Sequence, residues 1–262
     1  MSRDMRKEID LSLANYGVVK SLSYDLVVLP WGSAEPHNYH LPYITDCVLS
    51  QEVAVEAAQK ALDLYNIRCM VMPPVPFGSQ NPGQWELDFC VHYRYETQKA
   101  ILSDMVASLY RQGYRKMIII NGHGGNAFKN MVRDLAVDYP DFMLAISNWY
   151  DFIPEVGYFD MPGDHADEKE TSVMMHYRPD LVDVADAEDG RSKVFVSKMI
   201  GEKVAWLPRK WNKASRDTGV GDPRKSTAEK GAAYVKAVTD KYALLFKEMV
   251  EGAADEYVGD EF

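Results

Sequence analysis

Glu35, His37 and Asp46 make the densest group of candidate ligands in the chain. They lie in the stretch Leu29-Pro30-Trp31-Gly32-Ser33-Ala34-Glu35-Pro36-His37-Asn38-Tyr39-His40-Leu41-Pro42-Tyr43-Ile44-Thr45-Asp46. In extended backbone, residues two apart point to the same side, so Glu35 and His37 can both face one ion. Asp46 begins the next helical segment and can bend back toward them, and a carboxylate between two cations can bridge them. A mixture of carboxylate and imidazole suits zinc, manganese or iron better than calcium. Without a metal, the same three residues read as a solvated acid, a packed imidazole and a helix cap. Two further segments tilt the reading toward a metal. Asn121-Gly122-His123-Gly124-Gly125-Asn126 follows a β-branched run, and its glycines let the chain pass close to a ligand. Gly163-Asp164-His165-Ala166-Asp167-Glu168-Lys169-Glu170-Thr171-Ser172 adds a histidine and two glutamates near a helix start, where carboxylates are electrostatically favoured.

The elements that must position these groups alternate regularly. Apolar runs at 26–29, 68–72, 116–120 and 142–146 read as strands. Amphipathic segments at 46–65, 97–112 and 127–137 read as helices, with a further helix at 173–176 and a last one over 227–250. Residues 2–20 are expected to form a helix leading into the first strand. Strands alternating with helices imply βαβ units, hence an α/β fold: a three-layer α/β/α sandwich with a mainly parallel sheet, in a single domain over residues 1–262. In such sheets ligands bind at the carboxyl ends of the strands. Residues 73–96, rich in Pro, Gly and aromatics, read as a pocket wall or a packed aromatic loop; His92 and His176 read as structural. Beyond Pro179 the chain is irregular and polar, and the tail from Glu251 is acidic and expected to be loose.

Composition narrows the class. The 262 residues are 47% hydrophobic and 26% charged, with a net charge of −10. That charge and a pI near 5.1 argue against nucleic acid, which needs clustered cations to neutralise phosphates. The first residues make no signal peptide and no apolar stretch is long enough to span a bilayer, so a cytoplasmic protein with no membrane contact is expected. Cys47, Cys69 and Cys90 are odd in number and set in apolar surroundings, which reads as buried free thiols.

Taken together, the Glu-x-His plus Asp stretch, the Asn-Gly-His-Gly-Gly-Asn segment and the His-Ala-x-Glu-x-Glu-Thr-Ser segment resemble the creatininase family, also called creatinine amidohydrolase. The turn Gly221-Asp222-Pro223 fits it too, and the likeness runs in order over residues 26–231. The resemblance implies two divalent metal ions per chain (Zn, Mn or Fe), a small-molecule substrate and a homo-oligomer, usually a hexamer. By position Glu35 and His123 would hold one ion, His37 the other, and Asp46 would bridge them. Creatininases proper carry an acid two residues after the histidine of the third strand, where this chain has Gly125. The commoner family form has the glycine pair and an acid in the later motif instead, and by that resemblance the last metal-ligand role falls to Glu168, with Glu170 as the alternative. His165 matches a histidine that moves protons at the scissile bond, and a carboxylate, Glu168, shares that catalytic role.

Trp149 matches a pocket tryptophan, while Gln84 and Trp85 fall in the substrate-binding loop. Pro82-Gly83-Gln84 stands for the usual Pro-Gly-Thr, Met161 for another tryptophan, and Asn38-Tyr39 for a Gly-containing turn, all pointing away from creatinine itself. The implied activity is metal-dependent opening of a cyclic amide, or cleavage of another non-peptide C–N bond. Alternatives are a formamide deformylase, ring C–C cleavage of an inosose-type polyol ketone, and a metal-free binding protein on the same fold.

Overall fold

A computed structural model describes residues 3–258. The chain runs through α1 (Arg3–Ile9), α2 (Tyr16–Ser21), β1 (Leu26–Trp31), α3 (Thr45–Tyr65), β2 (Cys69–Val71), α4 (Tyr95–Arg111), β3 (Lys116–Asn121), α5 (Lys129–Asp138), β4 (Met143–Asn148) and α6 (Glu168–Tyr177). After an irregular stretch come the short helices α7 (Lys198–Gly201) and α8 (Trp211–Ala214), then the long α9 (Ala228–Glu251). The four strands form one parallel sheet in the order β2-β1-β3-β4.

Alternation along the central strands sorts two cores. Leu26 and Val28 of β1 and Ile118 and Ile120 of β3 pack with α3, α6 and α9 on one face. Val27, Leu29, Trp31, Met117 and Ile119 pack with α4 and α5 on the other. The expected three-layer α/β/α sandwich with a parallel sheet is therefore present. Each fully buried aliphatic side chain contributes about 1.5–3 kcal/mol by leaving water, which is why the continuous apolar runs lie in the central strands.

The expected single helix over residues 2–20 is instead two helices, with residue 2 outside the described range. Asp10 interrupts it, because its carboxylate accepts from the Ser12 N–H at 3.0 Å and from Gln51 Nε2 at 3.2 Å. The Leu11 N–H then bonds the Val71 carbonyl, covering the β2 edge of the sheet. Elsewhere the main elements differ from expectation at their ends, the helix of the third motif beginning earlier, at Glu168. The stretch beyond Pro179, expected to be irregular, also holds the short helices α7 and α8, and a 3-10 turn over Ala253–Asp255 follows α9. The three cysteines are buried and unpaired, and burial pushes the thiols of Cys47 and Cys90 up to about 12. Among the described residues no helix is long and apolar enough to cross a membrane.

Candidate metal centre

From β1 the chain adds β2 on one side and then β3 on the other, so the direction of sheet growth reverses between β1 and β3. In open parallel sheets that crevice, at the carboxyl ends of the strands, is where ligands sit. Glu35 lies beyond β1, His123 lies beyond β3, and the first turn of α3 fills the gap between them. A Cβ at Gly122 would lie 2.5 Å from the Asp46 carbonyl oxygen. Glycine thus lets α3 press against the end of β3, which sets Asp46 between two histidines.

His37 Nε2 is 3.0 Å from Asp46 Oδ1. His123 Nδ1 is 2.9 Å from Glu35 Oε1 and 3.1 Å from Asp46 Oδ2. The third motif closes the group: Glu170 Oε2 lies 4.0 Å from His37 Nε2, and His165 Nδ1 lies 3.7 Å from Glu35 Oε1. All six side chains are buried.

The outer hydrogen bonds of the histidines fix which nitrogen faces inward. His37 Nδ1 meets the Glu35 carbonyl at 2.9 Å, His123 Nε2 the Ser79 carbonyl at 2.7 Å, and His165 Nε2 the Pro36 carbonyl at 2.9 Å. A carbonyl can only accept, so these nitrogens carry the proton and donate. The opposite nitrogens then point at carboxylates, the arrangement of histidines that ligate a metal. Asp46 Oδ2 is buried, with His123 Nδ1 at 3.1 Å as its facing group.

The sets Glu35/Asp46/His123 and His37/Asp46/Glu170 share Asp46, and a third set is Glu35/His37/His165; within each, the ligand atoms lie within 4.8 Å of one another. A tetrahedral ion with bonds of about 2.1 Å separates its ligand atoms by about 3.4 Å. The distances above bracket that value, so the donor set fits two cations with a shared carboxylate.

Protons compete for the same place. Burial disfavours charge on His37, but Asp46, with Glu170 and Glu35 behind it, outweighs that and pushes its pKa up to about 10. His123 is raised well above its ordinary value in the same way, by Glu35 and Asp46 against the cost of burial. Burial would raise Glu35 and Asp46, yet the facing histidines hold both below the usual carboxylate range. Glu170 goes the other way, raised chiefly by burial.

Glu168 stands apart from this group. Its Oε2 accepts from the backbone N–H of Asp160 at 2.9 Å and of Met161 at 2.6 Å, while Oε1 pairs with Lys230. Fully buried, it ties the loop before the third motif to α9. Two helical residues on, the side-chain direction has turned by about 200°, so Glu170 faces the histidines. Asp167 caps α6 by accepting from the Glu170 N–H at 2.9 Å. Ala166, at φ 49°, directs its N–H to Glu170 Oε2 at 2.6 Å. Gly125 lies under the Ser79 carbonyl: a Cβ there would come within 2.1 Å of that oxygen, so no acid fits at this position.

Two cavities of about 410 and 600 Å³ meet at the cluster, and Glu35, His123, Asp164 and His165 line both. Gln84 lines the larger one, donates from Nε2 to Glu35 Oε2, and has its amide oriented by the Asn81 N–H at 2.7 Å. Trp85 is 48% exposed and packs edge-on against His92, whose Nδ1 accepts from the Gln80 N–H. Trp149 is fully buried behind Tyr150, in contact with Tyr234. Neither tryptophan lines these cavities.

The walls are instead Tyr150 and Lys169 on one side and Trp206, Arg209 and Trp211 on the other. Trp211 meets His165 edge-on at 5.3 Å, and Arg209 lies over the Trp211 ring while pairing with Asp164. Sequence reasoning gave these residues no role. The signal available was two tryptophans and an arginine within six positions of an otherwise featureless stretch.

The sequence profile of the creatininase family, creatinine amidohydrolase, matches residues 16–246. A solved structure from Bacteroides fragilis NCTC 9343, provisionally described as a creatinine amidohydrolase, is 56% identical. It covers 97% of this chain and 99% of its own, with a TM-score of 0.93. The 3-dehydro-scyllo-inosose hydrolase of Thermotoga maritima is 25% identical over 254 residues, 87% of this chain and 78% of that one. A manganese form of creatininase is 20% identical, with a TM-score of 0.76 over 92% of this chain and 98% of its own, and so shares the fold.

Proposed function

The chain belongs to the creatininase family of hydrolases, and from that footing we propose that it uses two divalent metal ions to open a cyclic amide or cleave another non-peptide C–N bond of a small polar substrate. One observation carries this reading. His37, His123 and His165 each spend one ring N–H on a backbone carbonyl and turn the other nitrogen onto buried carboxylates.

In this reading Glu35 and His123 hold one ion, His37 and Glu170 the other, and Asp46 bridges. Glu170 takes the place that sequence reasoning gave to Glu168. Zinc, manganese or iron would suit these donors, and when bound they polarise a carbonyl and acidify a water. The chain's own groups do the rest. Gln84 and the Ser79 and Pro36 carbonyls hold Glu35, His123 and His165 in one orientation. His165, its Nε2–H fixed, has Nδ1 available to take a proton as the carbonyl is attacked and to pass it to the leaving nitrogen. Assembly into a homohexamer belongs to the same reading, by family resemblance.

The test is metal content by elemental mass spectrometry on protein purified without chelator, alongside Asp46→Ala. About two equivalents per chain, lost in the variant, are expected. No metal after incubation with manganese or zinc would overturn the proposal.

A second substrate reading, ring C–C cleavage of a cyclic polyol ketone, is favoured by the lining of the larger cavity. Asn81 presents its amide there, beside the indoles of Trp206 and Trp211, while the amides of Gln80, Gln84 and Asn126 are spent on Ser33, Glu35 and Asn121. An amide matches the hydroxyls of a polyol and indole faces match its ring C–H groups; the inosose hydrolase likeness points the same way. Comparing kcat/KM for an inosose and a cyclic amide decides between the two.

A further inference from the structure

Residues 191–216 carry eight lysines and arginines and one glutamate, in a chain whose net charge is −10. Val194, Val196 and Trp206 in that segment are 89, 102 and 84% exposed. An apolar groove of about 380 Å³ runs through it, with Val194, Val196 and Leu207 on its walls and Lys193, Lys210 and Lys213 at its rim. Among the described residues these three lysines, like Lys198 and Lys203, pair with no carboxylate. A contiguous apolar surface with a polar rim marks a place where something docks.

A complementary segment lies in the same sequence. Residues 251–262 hold five carboxylates, no basic residue, and the apolar Tyr257, Val258 and Phe262. Tyr257 and Val258 are fully exposed. We propose that the acidic, aromatic segment 256–262 of one copy docks in the cation-rimmed groove of a second copy of this chain.

Topology argues for a second copy. Lys116, at the start of β3, donates from Nζ to the Val250 carbonyl at 2.6 Å, so α9 ends beside the amino ends of the strands. The groove shares Leu207, Pro208 and Arg209 with the larger cavity at the carboxyl ends. A six-residue strand is about 20 Å long. Seven fully extended residues span about 24 Å, too little to climb that length and also round the helical layer. In the docked pair, the partner's segment braces the wall formed by Leu207 and Arg209 beside the ligand cluster.

The first test titrates a fluorescent peptide of residues 251–262 into a chain shortened to residues 1–252. Saturable binding is expected, weakened about tenfold or more by combined Lys210→Glu and Lys213→Glu and by raising salt from about 0.05 to 0.3 M. Val196→Glu, on the apolar wall, should weaken it as well. No binding, or binding indifferent to these substitutions, overturns the proposal. The second test mixes the shortened chain, which has a groove but no tail, with the full-length Lys210→Glu, Lys213→Glu chain, which has a tail but a spoiled groove. Sedimentation should show a complex that neither forms alone. If the peptide binds but no mixed complex forms, the tail serves its own chain and the second-copy proposal fails. A groove that takes up phosphatidylglycerol vesicles but not the peptide fits an anionic lipid surface and equally overturns it.

Discussion

The two sides of the cleft are built on opposite principles. On one side, Glu35, His37, Asp46, His123, His165 and Glu170 are all buried, and most have an outer partner that leaves one orientation open. On the other, Trp206, Arg209 and Trp211 sit on irregular chain and short helices, and Trp206 is 84% exposed. The first side hangs on strand ends and helix starts of a rigid sandwich, the second on a loop that the sheet does not constrain. Groups that must hold charge in fixed geometry need the scaffold, whereas groups that choose a substrate can vary on loops without disturbing it.

The contrast is most sharply broken at Asp46, the residue common to two ligand sets. Asp46→Ala should lower kcat/KM by at least about a hundredfold, with circular dichroism unchanged; retention of activity would remove Asp46 from the site. Next come the two glutamates of α6. Glu170→Gln should lose metal and activity by about tenfold to a hundredfold at little cost in Tm. Glu168→Gln should keep its metal but lose about 2 kcal/mol of stability, because a buried acceptor of two backbone N–H groups and a lysine is weakened. Denaturant titration and metal analysis of the pair read both effects, and the reverse pattern would give the ligand role back to Glu168.

A pH series follows. The pKa of His37 in the folded protein, at about 10, lies above its ordinary 6.5. In metal-stripped protein its contribution to stability is thus complete below pH 6.5 and lost as pH rises toward 10. Metal binding needs the neutral ring, so affinity should instead rise with pH, by roughly tenfold per unit for each histidine still protonated. Opposite slopes of Tm against pH for stripped and manganese-loaded protein are the expected readout. The smallest effect is on the loop side: Trp206→Ala should raise KM about threefold to tenfold, the loss of about 1 kcal/mol of ring contact, with kcat and metal content unchanged.

Much of this could be read without coordinates. Local periodicity located the strands and most helices, because an apolar stripe of period two or 3.6 has to face a core wherever that core lies. The ligand types and their order along the chain also survive translation into space: Glu35, His37, Asp46, His123 and His165 do meet. What escaped depends on phase and distance. Glu168 and Glu170 are equivalent in a helix start read as text, and only the packing of α6 against α9 turns one toward Lys230 and the other toward His37. Trp149, in place by its spacing, is drawn into the core by Tyr234, while the cleft wall comes from tryptophans some 60 residues further on. Sequence alone determined which chemistry the chain can hold, since donor type and order are properties of the residues. Tertiary structure decided which carboxylate faces that chemistry and what walls surround it, since both are set by contacts between segments that no local pattern links.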